Sequence, residues 1–187
     1  MEEKTVRYFD EPGDANTAHC LNIARAEAED NGYKYIIVAS TTGETGTIFA
    51  EGLKGMDVNL MVVTYADDKG QNTIPEKIRQ RILDNGATLF NAPRLSLLID
   101  KAFGDKYGEQ RPSKIVSDTL SRFGQGLTAC CECVMSATDG GLLQEGMEII
   151  AVAGTVKGAD TVTVIKAASS KRFQKLKVLE ILAKPRA

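Results

Sequence analysis

Short apolar runs recur along the chain, separated by polar, glycine-bearing stretches and by segments whose apolar residues fall at helical spacing. Ile36, Ile37, Val38 and Ala39 form the clearest run, the pattern of a strand covered on both faces in a parallel sheet. Val58–Thr64 and Met147–Ala153 read as further buried strands, Thr161–Ile165 as another, and Ala87–Phe90 as a short one. Thr5–Phe9 alternates weakly and ends in the turn Asp10-Glu11-Pro12-Gly13-Asp14. Helical spacing appears over 15–31, through Ala18, Leu21, Ile23, Ala24 and Ala28, with Gly32 as the stop. A second helix follows the glycine loop after Ala39 and runs to about Lys54, closed by Gly55. Pro75 opens a third through Ile78, Ile82 and Leu83, ended by Asn85-Gly86. Two more are predicted over 113–123 and over 127–137, the latter rich in small side chains and stopped by Asp139-Gly140-Gly141. Residues 65–73 read as a polar loop and 91–111 as no more than a short helix and a loop. Ser169–Arg172 turns the chain toward a last apolar segment at Val178–Leu182.

Strands alternating with helical patterns predict an α/β protein with a mostly parallel sheet, and the adjacent strands near 150 and 163 predict an antiparallel pair late in the chain. Ligands of such folds collect at the carboxyl ends of the strands. Two glycine loops begin there, at 40–46 and 154–160, and are expected on one rim.

The first loop places Ser40, Thr41, Thr42, Gly43, Glu44, Thr45 and Gly46 directly before a helix. Hydroxyls, backbone N–H groups and the positive end of a helix can converge there on one anion. An ordinary βα turn with an N-cap is the other reading of the same residues. The loop has neither a Walker lysine nor the Gly-x-Gly-x-x-Gly fingerprint. Such chemistry suits docking of a phosphomonoester more than hydrolysis of a nucleoside triphosphate. Glu44 would repel a phosphate unless its carboxylate points away or serves the first helical turn. Lys157, in the second loop, offers a positive charge or lies in solvent. Asp160 is placed to accept from a ribityl or ribose hydroxyl.

Composition narrows the classes. With 187 residues, one domain spanning 1–187 is expected. The 23 Lys and Arg against 25 Asp and Glu give a net charge of −2, without the basic footprint that nucleic acid requires. No apolar run reaches the ~18 residues that span a bilayer, and no secretion signal opens the chain, so a cytoplasmic protein is expected. The four cysteines, three of them at 130, 131 and 133, suit small buried thiols better than disulfides or a zinc site. His19 beside Cys20 makes no nucleophile–base pair, because neighbours on a helix point about 100° apart. No acid–base set or metal cluster stands out, and a reaction is not assigned.

Two stretches are similar to a known fold. Tyr35–Thr64 resembles the part of the pyruvate kinase C-terminal domain that binds an allosteric sugar phosphate, and Glu145–Thr155 resembles that domain's last strand pair. Tyr8-Phe9, Pro12-Gly13, Asn16-Thr17, Val38–Thr45, Gly154-Thr155, Gly158–Thr161 and Ala183–Arg186 resemble a stand-alone archaeal and bacterial family of the same fold. The resemblance implies a three-layer α/β/α sandwich without the catalytic barrel, hence no pyruvate kinase activity. It also implies flavin mononucleotide on the rim. The phosphate would lie at Ser40, Thr41, Thr42, Gly43, Glu44 (through its N–H) and Thr45. Asn16, Thr17, Gly154, Thr155, Lys157, Gly158, Asp160 and Thr161 would line the remainder. A metabolite-sensing module that binds a sugar phosphate and acts through a homo-oligomer is the second reading, although Gly43-Glu44 departs from the hydroxyl-and-basic character of a sugar-phosphate loop.

Overall fold

A computed structural model describes residues 3–65, 74–92 and 112–186. Seven strands form one sheet: β1 (Arg7–Phe9), β2 (Tyr35–Ala39), β3 (Asn59–Tyr65), β4 (Thr88–Ala92), β5 (Glu148–Ala153), β6 (Thr161–Lys166) and β7 (Lys177–Pro185). The helices are α1 (Thr17–Asn31), α2 (Glu44–Gly52), α3 (Glu76–Asp84), α4 (Pro112–Leu120) and α5 (Gln125–Asp139). The sheet order is β1-β7-β6-β5-β2-β3-β4. β5, β2, β3 and β4 run parallel, β6 is antiparallel to both β5 and β7, and β1 pairs parallel with β7. The sheet is thus mostly parallel, with the antiparallel pair late in the chain as the pattern predicts.

Alternation along the strands divides the core into two layers. Ile36 and Val38 of β2, Val62 of β3 and Ile150 and Val152 of β5 pack under Cys20 and Ala24 of α1, Phe49 of α2, Leu53 just after it and Ile82 of α3. Ile37, Met61, Val63, Ile149, Ala151 and Ala153 face the opposite way, against Cys130, Cys133, Val134 and Ala137 of α5. Helices on both faces make the architecture a three-layer α/β/α sandwich. Small side chains on both α5 and β5 allow that helix to lie close to the sheet, which explains its cysteine-rich face.

Several boundaries differ from the sequence reading. Helix α2 begins at Glu44, so Thr45 and Gly46 belong to its first turn and not to the loop. The reason is packing: a Cβ on Gly46 would lie 2.5 Å from a Val62 methyl, so glycine lets the helix settle on β3. Helix α5 likewise starts two residues early and includes Gly126. Pro75 precedes the first turn of α3 as its N-cap instead of standing inside it. Residues 170–175 form a 3-10 turn, and the last apolar segment is a full strand, β7. The loop expected over most of 65–73 and the short helix and loop expected over 91–111 lie largely outside the described residues.

Candidate functional site

The chain lays down β2, β3 and β4 outward in order and then returns to place β5 on the other side of β2. A cleft opens at the carboxyl ends of β2, β3 and β5, where this reversal leaves adjoining loops to diverge. It encloses about 530 Å³, within the ~300–1,000 Å³ of small-molecule sites. Ser40, Thr41, Thr42, Glu44 and Thr45 from the first loop line it, as do Gly154, Thr155, Lys157 and Gly158 from the second and Thr17 from α1. Both glycine loops therefore do meet on one rim.

The first loop is built around the start of α2. Gly43 takes a left-handed φ of +87°, and a Cβ there would come 2.5 Å from a methyl of Ile78, so only glycine fits. The buried Ser40 hydroxyl accepts from the Gly46 N–H at 3.0 Å, and the Ser40 N–H donates to Val63 O at 2.8 Å. Ser40 thus satisfies one of the helix's orphan donors and anchors the loop to β3. The N–H groups of Glu44 and Thr45, in the same turn, have no intrahelical acceptor. Thr45 is only 7% exposed, yet among the described residues its hydroxyl makes no hydrogen bond. A cleft-lining hydroxyl without a partner among the described residues, beside helix-start donors, is chemistry that suits an anion.

The second loop is held by its acid. Asp160 is fully buried, and one carboxylate oxygen accepts from the N–H of Gly13 and the N–H of Thr155, each at 3.0 Å. The other accepts from the Thr161 hydroxyl at 2.8 Å. The first turn of α5 also lies against it: a Cβ on Gly126 would be 2.9 Å from that second oxygen. The partial positive charge of a helix start suits a carboxylate there. Thr17 accepts from the Ala159 N–H at 3.0 Å, tying α1 to the same loop. Asp160 and Thr161 sit behind the cleft wall and not in its lining. Asn16 is also outside the lining, with its side chain donating to Glu11 O. Gly43 supports the wall from within.

Charge is concentrated at the mouth. The Lys157 ammonium stands 3.6 Å from a carboxylate oxygen of Asp14 and 3.6 Å from one of Glu44, bridging the two loops. All three side chains are more than half exposed, so the bridge contributes little to stability. Tyr65, Ile48 and Val156 add apolar surface that the sequence reading did not assign to the site. Val156 is 94% exposed. Tyr65 closes β3 beside the carboxyl end of β2, a position from which it could have been foreseen. Its hydroxyl lies 3.8 Å from the Cys133 sulfur, and burial pushes its pKa well above the ordinary tyrosine range.

The thiols are inert by environment. Cys20, Cys131 and Cys133 are fully buried, and burial pushes each up to about 12. Cys130 is driven up in the same direction by the same cause. Among the described residues no group of three or more His, Cys, Asp or Glu could hold a metal. His19 is exposed on α1 with its ring 6.2 Å from Phe9, away from the cleft. No helix among the described residues is long and apolar enough to cross a membrane.

No protein-family model matches the chain. Among solved structures it is similar to a pyruvate kinase from Cryptosporidium parvum, with 14% identity and a TM-score of 0.40 over 80% of this chain and 22% of that one. A second Cryptosporidium parvum pyruvate kinase structure gives 15% identity and a TM-score of 0.40 over 84% and 23%. An O-ureido-L-serine synthase gives 17% identity and a TM-score of 0.32 over 57% and 29%. The chain spans less than a quarter of the length of the pyruvate kinases it matches. At these identities and TM-scores the likeness says nothing of activity.

Proposed function

We propose that the cleft binds a phosphorylated small molecule, with flavin mononucleotide the first candidate, and that the phosphate sits at the start of α2. The observation that carries this reading is Thr45: a residue nine-tenths buried whose hydroxyl makes no hydrogen bond among the described residues, lining the cleft beside the N–H groups of the first helical turn. The residues also fit the rest of a flavin nucleotide. Ile48, Tyr65 and Val156 offer apolar surface to a ring, and Thr155 and Thr17 offer oxygen atoms near a ribityl chain. Asp160 would act through the loop it shapes, since its oxygens already accept three hydrogen bonds. Bound flavin would supply reversible electron transfer; the protein's own groups would seat the phosphate and shield one face of the ring.

Titration with flavin mononucleotide, followed by visible absorbance and by the melting temperature, tests the reading. Binding to the folded state alone must raise stability, so saturable binding with an upward melting shift is expected. Replacing Thr42 and Thr45 together by alanine should weaken binding at least about tenfold, since a hydrogen bond to a charged group contributes ~1.5–3 kcal/mol. Unchanged affinity in that variant would move the phosphate elsewhere. A melting shift with fructose 1,6-bisphosphate and none with flavin mononucleotide would favour the metabolite-sensing alternative.

A further inference from the structure

We propose that the Asp14–Lys157–Glu44 bridge makes the cleft selective for phosphomonoesters whose remaining body is uncharged, and that it turns bisphosphates away. The inference rests on the reading of the α2 start as the phosphate seat and adds which class of phosphate compound that seat accepts.

The argument is one of charge placed at two ends of one cavity. At the inner end, an anion meets the N–H groups of Glu44 and Thr45 and the cleft-lining Thr45 hydroxyl, which makes no hydrogen bond among the described residues. At the outer end it meets carboxylates. Lys157 is the one cation among the described lining residues, and it already stands 3.6 Å from both Asp14 and Glu44. The lining therefore carries one ammonium against two carboxylates, and a second phosphate at the mouth would have to take Lys157 from both. Like charges placed together in a partly enclosed site disfavour the wrong ligand more than they weaken the right one.

Glu44 fixes the polarity of the site within a single residue. Its backbone N–H belongs to the helix start that attracts an anion, while its side chain reaches the mouth and repels one. A ligand with one anionic end and a neutral body satisfies both. A ligand with an anion at each end satisfies only the first.

The test compares dissociation constants of flavin mononucleotide, ribose 5-phosphate and fructose 1,6-bisphosphate for the whole chain, for Glu44→Gln, for Asp14→Asn and for the double variant. Both side chains are more than half exposed, so the variants should keep the wild-type melting temperature in the absence of ligand. The wild type should prefer the monophosphates. Each exposed charge contributes about 0.2–1 kcal/mol, so the double variant should shift the ratio toward the bisphosphate by about two- to thirtyfold. Raising the salt from 0.1 to 1 M, which shortens the screening length from about 10 to about 3 Å, should shrink the wild-type preference. If monophosphates bind and the ratio does not move in the double variant, the charge gate is wrong and the phosphate seat stands. A wild-type preference for the bisphosphate would overturn the gate as well. If none of the three ligands binds, the seat fails and the gate with it.

Discussion

The two glycine loops on the rim look alike in sequence, each a mixture of glycine, threonine and one acid after a buried strand, yet their polar groups are partnered differently. In the loop at 40–46 the Ser40 hydroxyl holds the fold, while the Thr45 hydroxyl makes no hydrogen bond among the described residues and the Glu44 and Thr45 N–H groups lack an intrahelical acceptor. In the loop at 154–160 the carboxylate is committed to the fold: Asp160 accepts three hydrogen bonds, and Thr17 receives the Ala159 N–H. Its glycines are spent too, since a Cβ on Gly154 would come 2.4 Å from Gly158 O and one on Gly158 would come 2.4 Å from the Asp14 Cα. The lesson is that polarity marks a binding loop only where its donors and acceptors lack internal partners.

The largest effect that could break this contrast belongs to the second loop. Asp160→Ala would leave two N–H groups and a hydroxyl without their acceptor, at ~1–3 kcal/mol for each group left unsatisfied. A loss of about 3 kcal/mol or more in the urea-unfolding free energy is expected. A loss within about 0.5 kcal/mol would mean that water replaces the carboxylate and that the loop is not built on it. The first loop should behave the other way. Thr42→Ala with Thr45→Ala should leave unfolding within about 1 kcal/mol of wild type while ligand affinity falls. Ser40→Ala sits between these extremes, because it removes a helix-start acceptor; about 1 kcal/mol of stability should be lost in the same assay.

Much of the fold was legible because it depends on local periodicity. The run Ile36–Ala39 and the helix stopped by Gly32 needed no distant information. The start of α2 was misread because Thr45 and Gly46 have poor helix propensity, and what overrides it is a contact with Val62 sixteen residues away. Gly126 was misread for the same reason, since it faces Thr161 across the fold, where a Cβ would stand 2.1 Å from the hydroxyl oxygen. In the site, the meeting of the two loops followed from the carboxyl ends of the strands. The role of Asp160 did not, because its partner Gly13 lies 147 residues away. Nor did the pairing of Lys157 with Glu44 and Asp14, which depends on how two loops face each other in space.

The smallest effect concerns Cys20, which lies under the second loop and reports whether that loop is sealed. Burial is the larger cause that pushes its thiol up to about 12, and the charge of Asp160 is the smaller. The folded thiol therefore keeps its proton at pH values where an unfolded cysteine, near 8.5, has lost it. In that window the unfolded chain binds fewer protons than the folded one, so stability falls as pH rises. The contribution is fully present below about pH 8.5 and is lost progressively as pH climbs toward 12, with Cys131 and Cys133 acting in the same direction. Unfolding free energies measured from pH 8 to 10 should decline accordingly, and at pH 8.5 a disulfide reagent should leave the native thiols unmodified. Asp160→Asn, checked for folding by circular dichroism, should lower the Cys20 pKa but leave it above the ordinary value, because burial remains. Cys131 and Cys133 should not move, since Asp160 is not among the charges acting on them. Rapid modification of Cys20 in the folded wild type would mean that the second loop opens, and the division between a loop that builds and a loop that binds would no longer hold.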